Sequence, residues 1–142
     1  MNGIIYIMKY CGGIKMYETE YKVIVSDINY GGHMGNERAL IIFQQTRMEW
    51  LNSIGYDETN IEGKGMIQLE SHVYYLKEVF LGEILKCRIT NIEPEKITFN
   101  INYEIINQKG ETAIKGSTKM AVFDYERKRV SRIPQELLRL LV

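Results

Sequence analysis

Hydrophobic and polar residues alternate in five segments of the chain. Alternation with a period of two is the pattern of a strand that buries one face. The segments are Glu18–Asp27, Ile67–Tyr75, Leu85–Thr90, Ile97–Ile105 and Thr112–Phe123. Turn-forming residues separate most of them, at Gly31-Gly32, Leu81-Gly82-Glu83 and Asn107–Gly110. The sequence therefore predicts five strands, four of which follow one another through short turns.

A helical pattern occupies the space between the first two predicted strands. Its apolar residues are Ala39, Leu40, Ile42, Phe43, Trp50, Leu51 and Ile54. Asn36 is a favoured N-cap, Glu37 places negative charge in the first turn, and Gly55 is typical of the position just after a helix. We expect a helix of about five turns. Ile41 lies on the face that amphipathic helices keep polar, so we expect protein to enclose the first half of this helix.

This order of elements predicts the architecture. One strand, a long apolar helix and four strands favour an α+β fold, with a five-stranded antiparallel sheet wrapped around one long central helix. A short C-terminal helix follows, and Pro134 suits its first position. One helix covers five strands poorly, so sheet edges stay exposed in a single copy. We expect two copies to pair edge to edge.

The 142 residues are enough for one domain, which we assign to residues 16–142. We assign residues 1–15 either to a loose N-terminal arm or to a misplaced start of translation, with Met16 as the true start. The apolar run Ile4–Met8 is too short for a signal peptide or a membrane helix. Cys11 and Cys87 do not make a disulfide framework, which favours the cytoplasm.

The balance of charge narrows the possible partners. The chain has 18 Lys and Arg residues and 18 Asp and Glu residues, which gives a formal net charge of zero. A nucleic-acid-binding domain usually carries a strong basic excess, so we expect no nucleic-acid partner, and none of the apolar segments predicts a membrane partner. Only two histidines are present, with no cysteine near either, and we expect no metal site.

The turn before the helix carries a recognisable motif. Gly32-His33-Met34-Gly35-Asn36, followed by Gln45-Thr46-Arg47, resembles the signature of the hot-dog-fold acyl-CoA thioesterases of the 4-hydroxybenzoyl-CoA thioesterase-like superfamily. The similarity extends through Tyr75-Leu76-Lys77, Leu81-Gly82-Glu83 and Ile133–Leu137. It implies hydrolysis of an acyl-CoA, or of an acyl-carrier thioester, to the free acid and thiol. It further implies a site shared between the subunits of a homodimer or homotetramer, with no cofactor beyond the CoA of the substrate.

The sequence departs from the family motif at one position. Many members carry the catalytic aspartate where this chain has Asn29. A carboxamide cannot act as a general base, although it can orient a water or donate to a carbonyl. Asp27 lies two residues earlier, on the same side of an extended chain, and we favour it as the base. His33 and Glu37 are the other titratable candidates.

The remaining candidate residues would bind the substrate. The N–H groups around Gly35 and Asn36, at the start of the helix, suit a developing oxyanion. Gly32 and Arg47 complete the predicted substrate-binding set. Structural alternatives stay open: Asp27 and Asn29 as caps of the turn, Glu37 as a helix-dipole residue, and Arg47 as the partner of a carboxylate from the sheet or a second copy.

Two other functions compete with thioester hydrolysis. Asp27-x-Asn29 before His33 resembles the Asp-x-Asn-x-x-His motif of hot-dog enoyl-CoA hydratases. One residue too many separates Asn29 from His33, and no proline follows the asparagine. The other alternative is a non-catalytic acyl-thioester binding protein, in which Asn29 marks a site that has lost its chemistry.

Overall fold

The computed structural model describes residues 8–9 and 15–141, and burial from residue 17 onward. In chain order the elements are β1 (Met8–Lys9), β2 (Lys15–Lys22), a 3-10 turn (Val25–Asp27), α1 (Arg38–Ser53), β3 (Gly65–Tyr75), β4 (Ile84–Pro94), β5 (Thr98–Ile106), β6 (Thr112–Asp124), β7 (Arg129–Ser131) and α2 (Gln135–Leu141).

The strands form one antiparallel sheet in the order β1-β2-β4-β5-β6-β3, and β7 pairs with the end of β6. The five predicted strands and the α+β class are confirmed, and the short strands β1 and β7 are additional. The first strand was predicted from Glu18 to Asp27, but it begins at Lys15 and ends at Lys22. There the backbone N–H of Asp27 donates to the carbonyl of Ile24, 2.9 Å away, and closes the 3-10 turn.

Helix α1 packs on one face of the sheet. The ring of Phe43 stacks on that of Tyr103 in β5, with centroids 4.4 Å apart and planes 8° from parallel. Gly116 in β6 leaves room for this ring: a Cβ built on it would lie 2.5 Å from Phe43 Cε2 and 2.5 Å from the carbonyl oxygen of His72. The residue without a side chain therefore sets how closely helix and sheet approach.

The ends of α1 agree with the prediction to within one or two residues. The helix begins at Arg38 with Glu37 as its N-cap, one residue later than predicted from Asn36. It ends at Ser53, and Gly55 has the positive φ of +91° expected of a residue after a helix. Its 16 residues make it somewhat shorter than the five turns predicted.

The prediction that protein encloses the first half of α1 is wrong for a single chain. Leu40 is 38% exposed and Ile41 is 43% exposed, although Ala39, Ile42 and Phe43 are buried. The physical reason is that the sheet covers only one side of the helix, so its outer side stays open.

The N-terminal assignment is only partly within the described residues. Met8 and Lys9 pair with Met16 and Lys15, but most of residues 1–14 lie outside the described residues. The division at residue 16 therefore stays a prediction. Of the described helices, none combines the length and the apolar character required to cross a membrane.

The contact at Gly116 generates a stability prediction. Gly116→Ala places a methyl group against backbone and a buried ring, and we expect it to lower the free energy of unfolding by about 1–3 kcal/mol. Urea denaturation followed by circular dichroism measures the change. Ser117→Ala, the adjacent change in β6, is the control and is expected to be near neutral. Equal stability of the Gly116→Ala variant and the unmodified protein would contradict the packing described.

Candidate active site

A tight turn presents Asn29 at the surface. The side-chain Oδ1 of Asn29 accepts the backbone N–H of Gly31 at 2.8 Å, and the Asn29 N–H donates to the carbonyl of His33 at 3.0 Å. Gly32 has φ of +90°, which side chains other than glycine resist. Asn29 is therefore the cap of the turn that the sequence offered as one alternative, and its amide nitrogen remains able to donate.

Asp27 is buried beneath this turn. Its carboxylate accepts the hydroxyl of Tyr21 at 2.8 and 2.9 Å and the backbone N–H of Ile24 at 2.9 Å. Arg38 at the start of α1 completes the arrangement: its Nε–H donates to Oδ1 at 3.0 Å, and its Nη2 forms an ion pair with the same oxygen at 2.9 Å. Burial and the hydrogen bond to Asp27 raise the pKa of the Tyr21 hydroxyl, so it remains a donor at neutral pH.

Asp27 and Asn29 do not share a side of the chain. Asp27 is 1% exposed, whereas Asn29 lies at the surface. The expectation that they face the same way was wrong, because the 3-10 turn interrupts the extended backbone that would alternate their side chains. Both carboxylate oxygens of Asp27 are already hydrogen-bonded, and neither faces a cleft. The structure therefore keeps the Asp27 carboxylate away from solvent and from the side chain of Asn29.

The segment entering α1 has free backbone donors. The N–H of Gly35 donates to the carbonyl of Asp27 at 2.9 Å and is occupied. Within the described part of the chain, the N–H groups of Asn36 and Glu37 have no hydrogen-bond acceptor. The carboxylate of Glu37 folds over Gly35, where a Cβ would lie 2.7 Å from both of its oxygens. The donors at the helix start are thus Asn36 and Glu37, one position later than predicted.

A cleft of about 170 Å³ lies beside the first of these donors, Asn36. Its lining combines the entry to α1 with the end of β3 and the segment after it: His33, Met34, Gly35, Asn36, Tyr75, Leu76, Lys77, Glu78, Val79 and Ile114. The hydroxyl of Tyr75 donates to the carbonyl of Asn36 at 2.8 Å, and the N–H of Met34 donates to the carbonyl of Val79 at 2.7 Å. These bonds hold the two sides of the cleft together.

His33 is the predicted catalytic residue that reaches the cleft. Its Nδ1 lies 3.3 Å from the carbonyl oxygen of Met34, and its Nε2 lies 3.6 Å from a carboxylate oxygen of Glu78. The side chain of His33 is 34% exposed and that of Glu78 is 64% exposed. A histidine held between a carbonyl and a carboxylate, with access to solvent, has the surroundings of a general base.

Several residues of the cleft were not predicted as site residues from the sequence, among them Tyr75 and Glu78. Tyr75 and Glu78 follow the turn by more than 40 positions, and their side chains meet it only because β3 runs back along the helix entry. No spacing in the sequence relates them to His33. The similarity of Tyr75-Leu76-Lys77 to the family was the one available signal, and it did not distinguish a strand residue from a site residue.

Arg47 lies in the core, away from the cleft. Its guanidinium is 4% exposed, pairs with Glu58 and donates to the hydroxyl of Tyr103 at 3.1 Å. Tyr103 in turn lies 2.8 Å from the hydroxyl of Thr118. This placement matches the structural alternative of an arginine paired with a carboxylate, although Glu58 comes from the segment between α1 and β3, not from the sheet.

No other nucleophile or metal ligand set adjoins the cleft in the described residues. Cys87 is 1% exposed, and burial raises the pKa of its thiol to about 12, so it is neither accessible nor ionised at neutral pH. Among the residues that the structure describes, no three His, Cys, Asp or Glu side chains come close enough to hold a metal ion.

Solved structures with the same fold include proteins named as thioesterases. The 1,4-dihydroxy-2-naphthoyl-CoA thioesterase from Synechocystis superposes with a TM-score of 0.81 at 15% identity, covering 89% of this chain and 95% of that one. DHNA-CoA thioesterase from Staphylococcus aureus gives 0.76 at 22% identity, covering 82% and 80%. A hypothetical protein from Staphylococcus aureus, in complex with CoA, gives 0.81 at 18% identity, covering 99% and 85%.

These likenesses confirm the hot-dog fold predicted from the sequence. At 15–22% identity they show the fold alone. No curated protein sequence matches the chain significantly. The model of the thioesterase-like superfamily, however, matches residues 23–141, which include the turn, α1 and the whole cleft. The chain therefore belongs to the thioesterase-like superfamily.

Proposed function

We propose that the cleft at the start of α1 hydrolyses an acyl-CoA thioester to the free acid and CoA. The observation that carries the proposal is that Asn36, whose N–H has no acceptor among the described residues, lines the same cleft as the His33–Glu78 pair. Family membership supports the reaction class. CoA as the thiol is supported by two neighbours named as CoA thioesterases and one determined with CoA.

The helix start supplies stabilisation of the oxyanion. The dipole of a 16-residue helix places partial positive charge at its N-terminus, where Asn36 lines the cleft. Negative charge develops on the carbonyl oxygen when water attacks a thioester, and a free N–H stabilises that charge more than the neutral carbonyl. One such donor is worth about 100- to 1,000-fold in kcat. The Asn29 amide nitrogen is available to orient the acyl group or the water.

His33 is the base that we propose in place of the missing aspartate. In the tautomer whose Nδ1–H donates to Met34, the Nε2 lone pair is free to take a proton from water. The oxygen of that water attacks the carbonyl carbon, the carbon–sulfur bond then breaks, and the departing thiolate takes the proton from the imidazolium. The Glu78 carboxylate, 3.6 Å from Nε2, stabilises the imidazolium while it exists.

The other predicted catalytic residues take structural roles in this proposal. Asp27 is a positioning residue, because its hydrogen-bonded carboxylate holds the turn against the helix start. Glu37 lies at the N-cap of α1, where its negative charge complements the helix dipole. Gly32 provides the turn geometry, and Arg47 supports the core.

A second copy is proposed to complete the site. In the described residues β3 pairs only with β6, so its other edge is open. Apolar side chains exposed along β3 and on the outer face of α1 would be covered by a twofold partner: Leu40, Ile41, Met48 and Leu69. Antiparallel pairing of two β3 edges removes both open edges at once. The cleft at the end of β3 then lies at the subunit interface.

One observation favours a second candidate, a non-catalytic acyl-thioester binding protein. The position of the family acid holds Asn29, and its Oδ1 is already used by the Gly31 N–H. Such a protein would bind acyl-CoA in the same cleft without releasing thiol. Incubation with acyl-CoAs of different length and aromaticity, followed by a thiol reagent, separates the two candidates. A trans-2-enoyl-CoA that is hydrated without thiol release would indicate a hydratase instead.

His33→Gln tests the base. We expect this variant to lose thiol release by about 100- to 10,000-fold in kcat, because glutamine cannot accept the proton. The assay is thiol release under saturating acyl-CoA. His72→Gln is the matched control, since the chain's other histidine lies exposed beside Glu70 on the sheet and is expected to leave kcat unchanged. Activity of His33→Gln within a few-fold of the unmodified enzyme would remove His33 from the mechanism.

Asp27→Asn tests the positioning role. Asp27 is 1% exposed, and removing its charge weakens the hydrogen bonds that it accepts from Tyr21 and Arg38. We therefore expect the free energy of unfolding to fall by about 2–4 kcal/mol. At a temperature where the variant is folded, some catalysis should persist, and the profile of kcat against pH should keep its shape. Unchanged stability with complete loss of turnover would instead identify Asp27 as the base.

Leu69→Lys tests the subunit interface. A charge on the open edge of β3 should dissociate the proposed dimer, which light scattering after size-exclusion chromatography detects as a halved mass. Ile97→Lys is the matched control, because Ile97 is 48% exposed and Leu69 is 47% exposed, but Ile97 lies in the turn before β5. If Leu69→Lys and the unmodified protein have the same mass, β3 is not the interface.

A further inference from the structure

Glu78 reaches His33 from the loop of residues 76–83, which joins β3 to β4. The side chain of Glu78 is 64% exposed, and among the described residues its carboxylate has no ion-pair or hydrogen-bond partner besides His33. Glu78 lines both the cleft of 170 Å³ and a second cleft of about 640 Å³. Side-chain packing therefore does not fix the Glu78 carboxylate, and its position depends on the backbone of the loop.

One peptide unit of the loop is held from both sides. The carbonyl of Val79 accepts the N–H of Met34 at 2.7 Å. The N–H of Phe80 donates to Oε2 of Glu83 at 2.9 Å. These two groups belong to the same planar peptide, so the two hydrogen bonds together fix its orientation. Met34 is the residue after His33, and its carbonyl oxygen lies 3.3 Å from His33 Nδ1. The peptide is thus held between the segment of the histidine and the Glu83 carboxylate.

The other carboxylate oxygen of Glu83 connects the loop to the turn between β5 and β6. Oε1 accepts the backbone N–H of Gln108 at 3.3 Å, and the side-chain oxygen of Gln108 accepts the N–H of Ile84 at 2.7 Å. Each of the two side chains therefore binds the backbone of the other segment. Hydrogen bonds to a charged acceptor are stronger than those between neutral groups, so the Glu83 carboxylate holds the end of the loop firmly.

We propose that Glu83 is a positioning residue, which holds the loop so that the Glu78 carboxylate stays within reach of His33. Among the described residues Glu83 makes no hydrogen bond or ion pair with His33, and it acts only through the peptide between Val79 and Phe80. This role rests on the proposed function of His33 as the base. When the Phe80 N–H loses its acceptor, the peptide is free to rotate and Glu78 turns toward solvent, where it no longer stabilises the imidazolium.

NMR of the His33 imidazole, recorded at neutral pH without substrate, tests this role whether or not the protein hydrolyses an acyl-CoA. The chain has two histidines, so His72→Gln assigns the signals. We expect Glu78→Ala to move the ring resonances of His33, and Glu83→Ala to move them in the same direction. Glu83→Gln keeps an oxygen that can accept the Phe80 N–H, so we expect it to restore most of the original signal.

Asp124→Ala is the matched control for Glu83→Ala. Oδ1 of Asp124 accepts two backbone N–H groups, from Glu126 and Arg127 at 3.0 Å each, where β6 leads into β7. Its truncation also removes two backbone hydrogen bonds from a carboxylate, but outside the β3–β4 loop. We expect the His33 resonances to stay in place in this variant. Backbone amide spectra check that every variant is folded.

Steady-state kinetics with an acyl-CoA that the protein hydrolyses give a second measurement. Glu78 is 64% exposed, so its interaction with the imidazolium is worth about two- to fivefold in kcat, the range of an exposed ion pair. We expect Glu83→Ala to lower kcat by up to this factor with KM unchanged. In a Glu78→Ala background it should have no further effect, because both changes remove the same interaction.

Three results would overturn the proposal: His33 resonances unchanged by Glu83→Ala, the same resonances unchanged by Glu78→Ala, or losses in kcat that multiply when the two changes are combined. Multiplying losses would show that Glu83 supports the fold independently of Glu78. A protein that releases no thiol, but whose His33 resonances respond as expected, contradicts the proposed hydrolysis and still supports the positioning of Glu78 by Glu83.

Discussion

The buried carboxylate of Asp27 is the constraint on which the rest of the site depends. It accepts hydrogen bonds from the end of β2, from the 3-10 turn and from the first residue of α1. A carboxylate deprived of water is stable only when its oxygens are satisfied, so these three elements are held in one arrangement. The backbone carbonyl of the same residue accepts the N–H of Gly35, and the N–H groups of Asn36 and Glu37 have no acceptor in the part of the chain that the structure describes.

The acidic residues near the turn have different roles: Asp27 stabilises the fold, and Glu78 lies beside the candidate base. An acid that is fully hydrogen-bonded and 1% exposed stabilises the fold but does not meet a substrate. The family's catalytic position carries an amide, and the candidate base is instead the histidine that the turn presents to Glu78. In this chain the polar residues near the turn are separated into a buried network that fixes geometry and a solvent-accessible pair that faces the cleft.

The single chain exposes surfaces that the proposed second copy would cover. Within the described residues, the edge of β3 away from β6 is unpaired and Leu40 and Ile41 on α1 are exposed, and both features are costly to leave in water. The sequence indicated a wrapped helix because Ile41 occupies a face that is usually polar. That pattern indicates that this face of the helix must be covered. It does not indicate whether the same chain or a second copy covers it.

The sequence by itself determined the elements whose signals are local. Alternation identified the five main strands, Gly55 marked the end of α1, and the glycines before His33 marked the turn. The tertiary structure decided the features that depend on contacts between residues distant in the sequence, and it also corrected the end of the first strand. Alternation continues through Val25, although the chain bends there, because a 3-10 turn of three residues is too short to alter the pattern.

Hydrogen bonds between residues far apart in the sequence decided where the polar side chains lie. Asp27 is a buried anchor because Arg38 and Tyr21 reach it, and Arg47 lies in the core because Glu58 and Tyr103 take its donors. Tyr75 and Glu78 enter the site because β3 returns along the helix entry. Sequence specifies which groups must find partners. Only the register and curvature of the sheet specify which partners they find, because those contacts join residues separated by many positions.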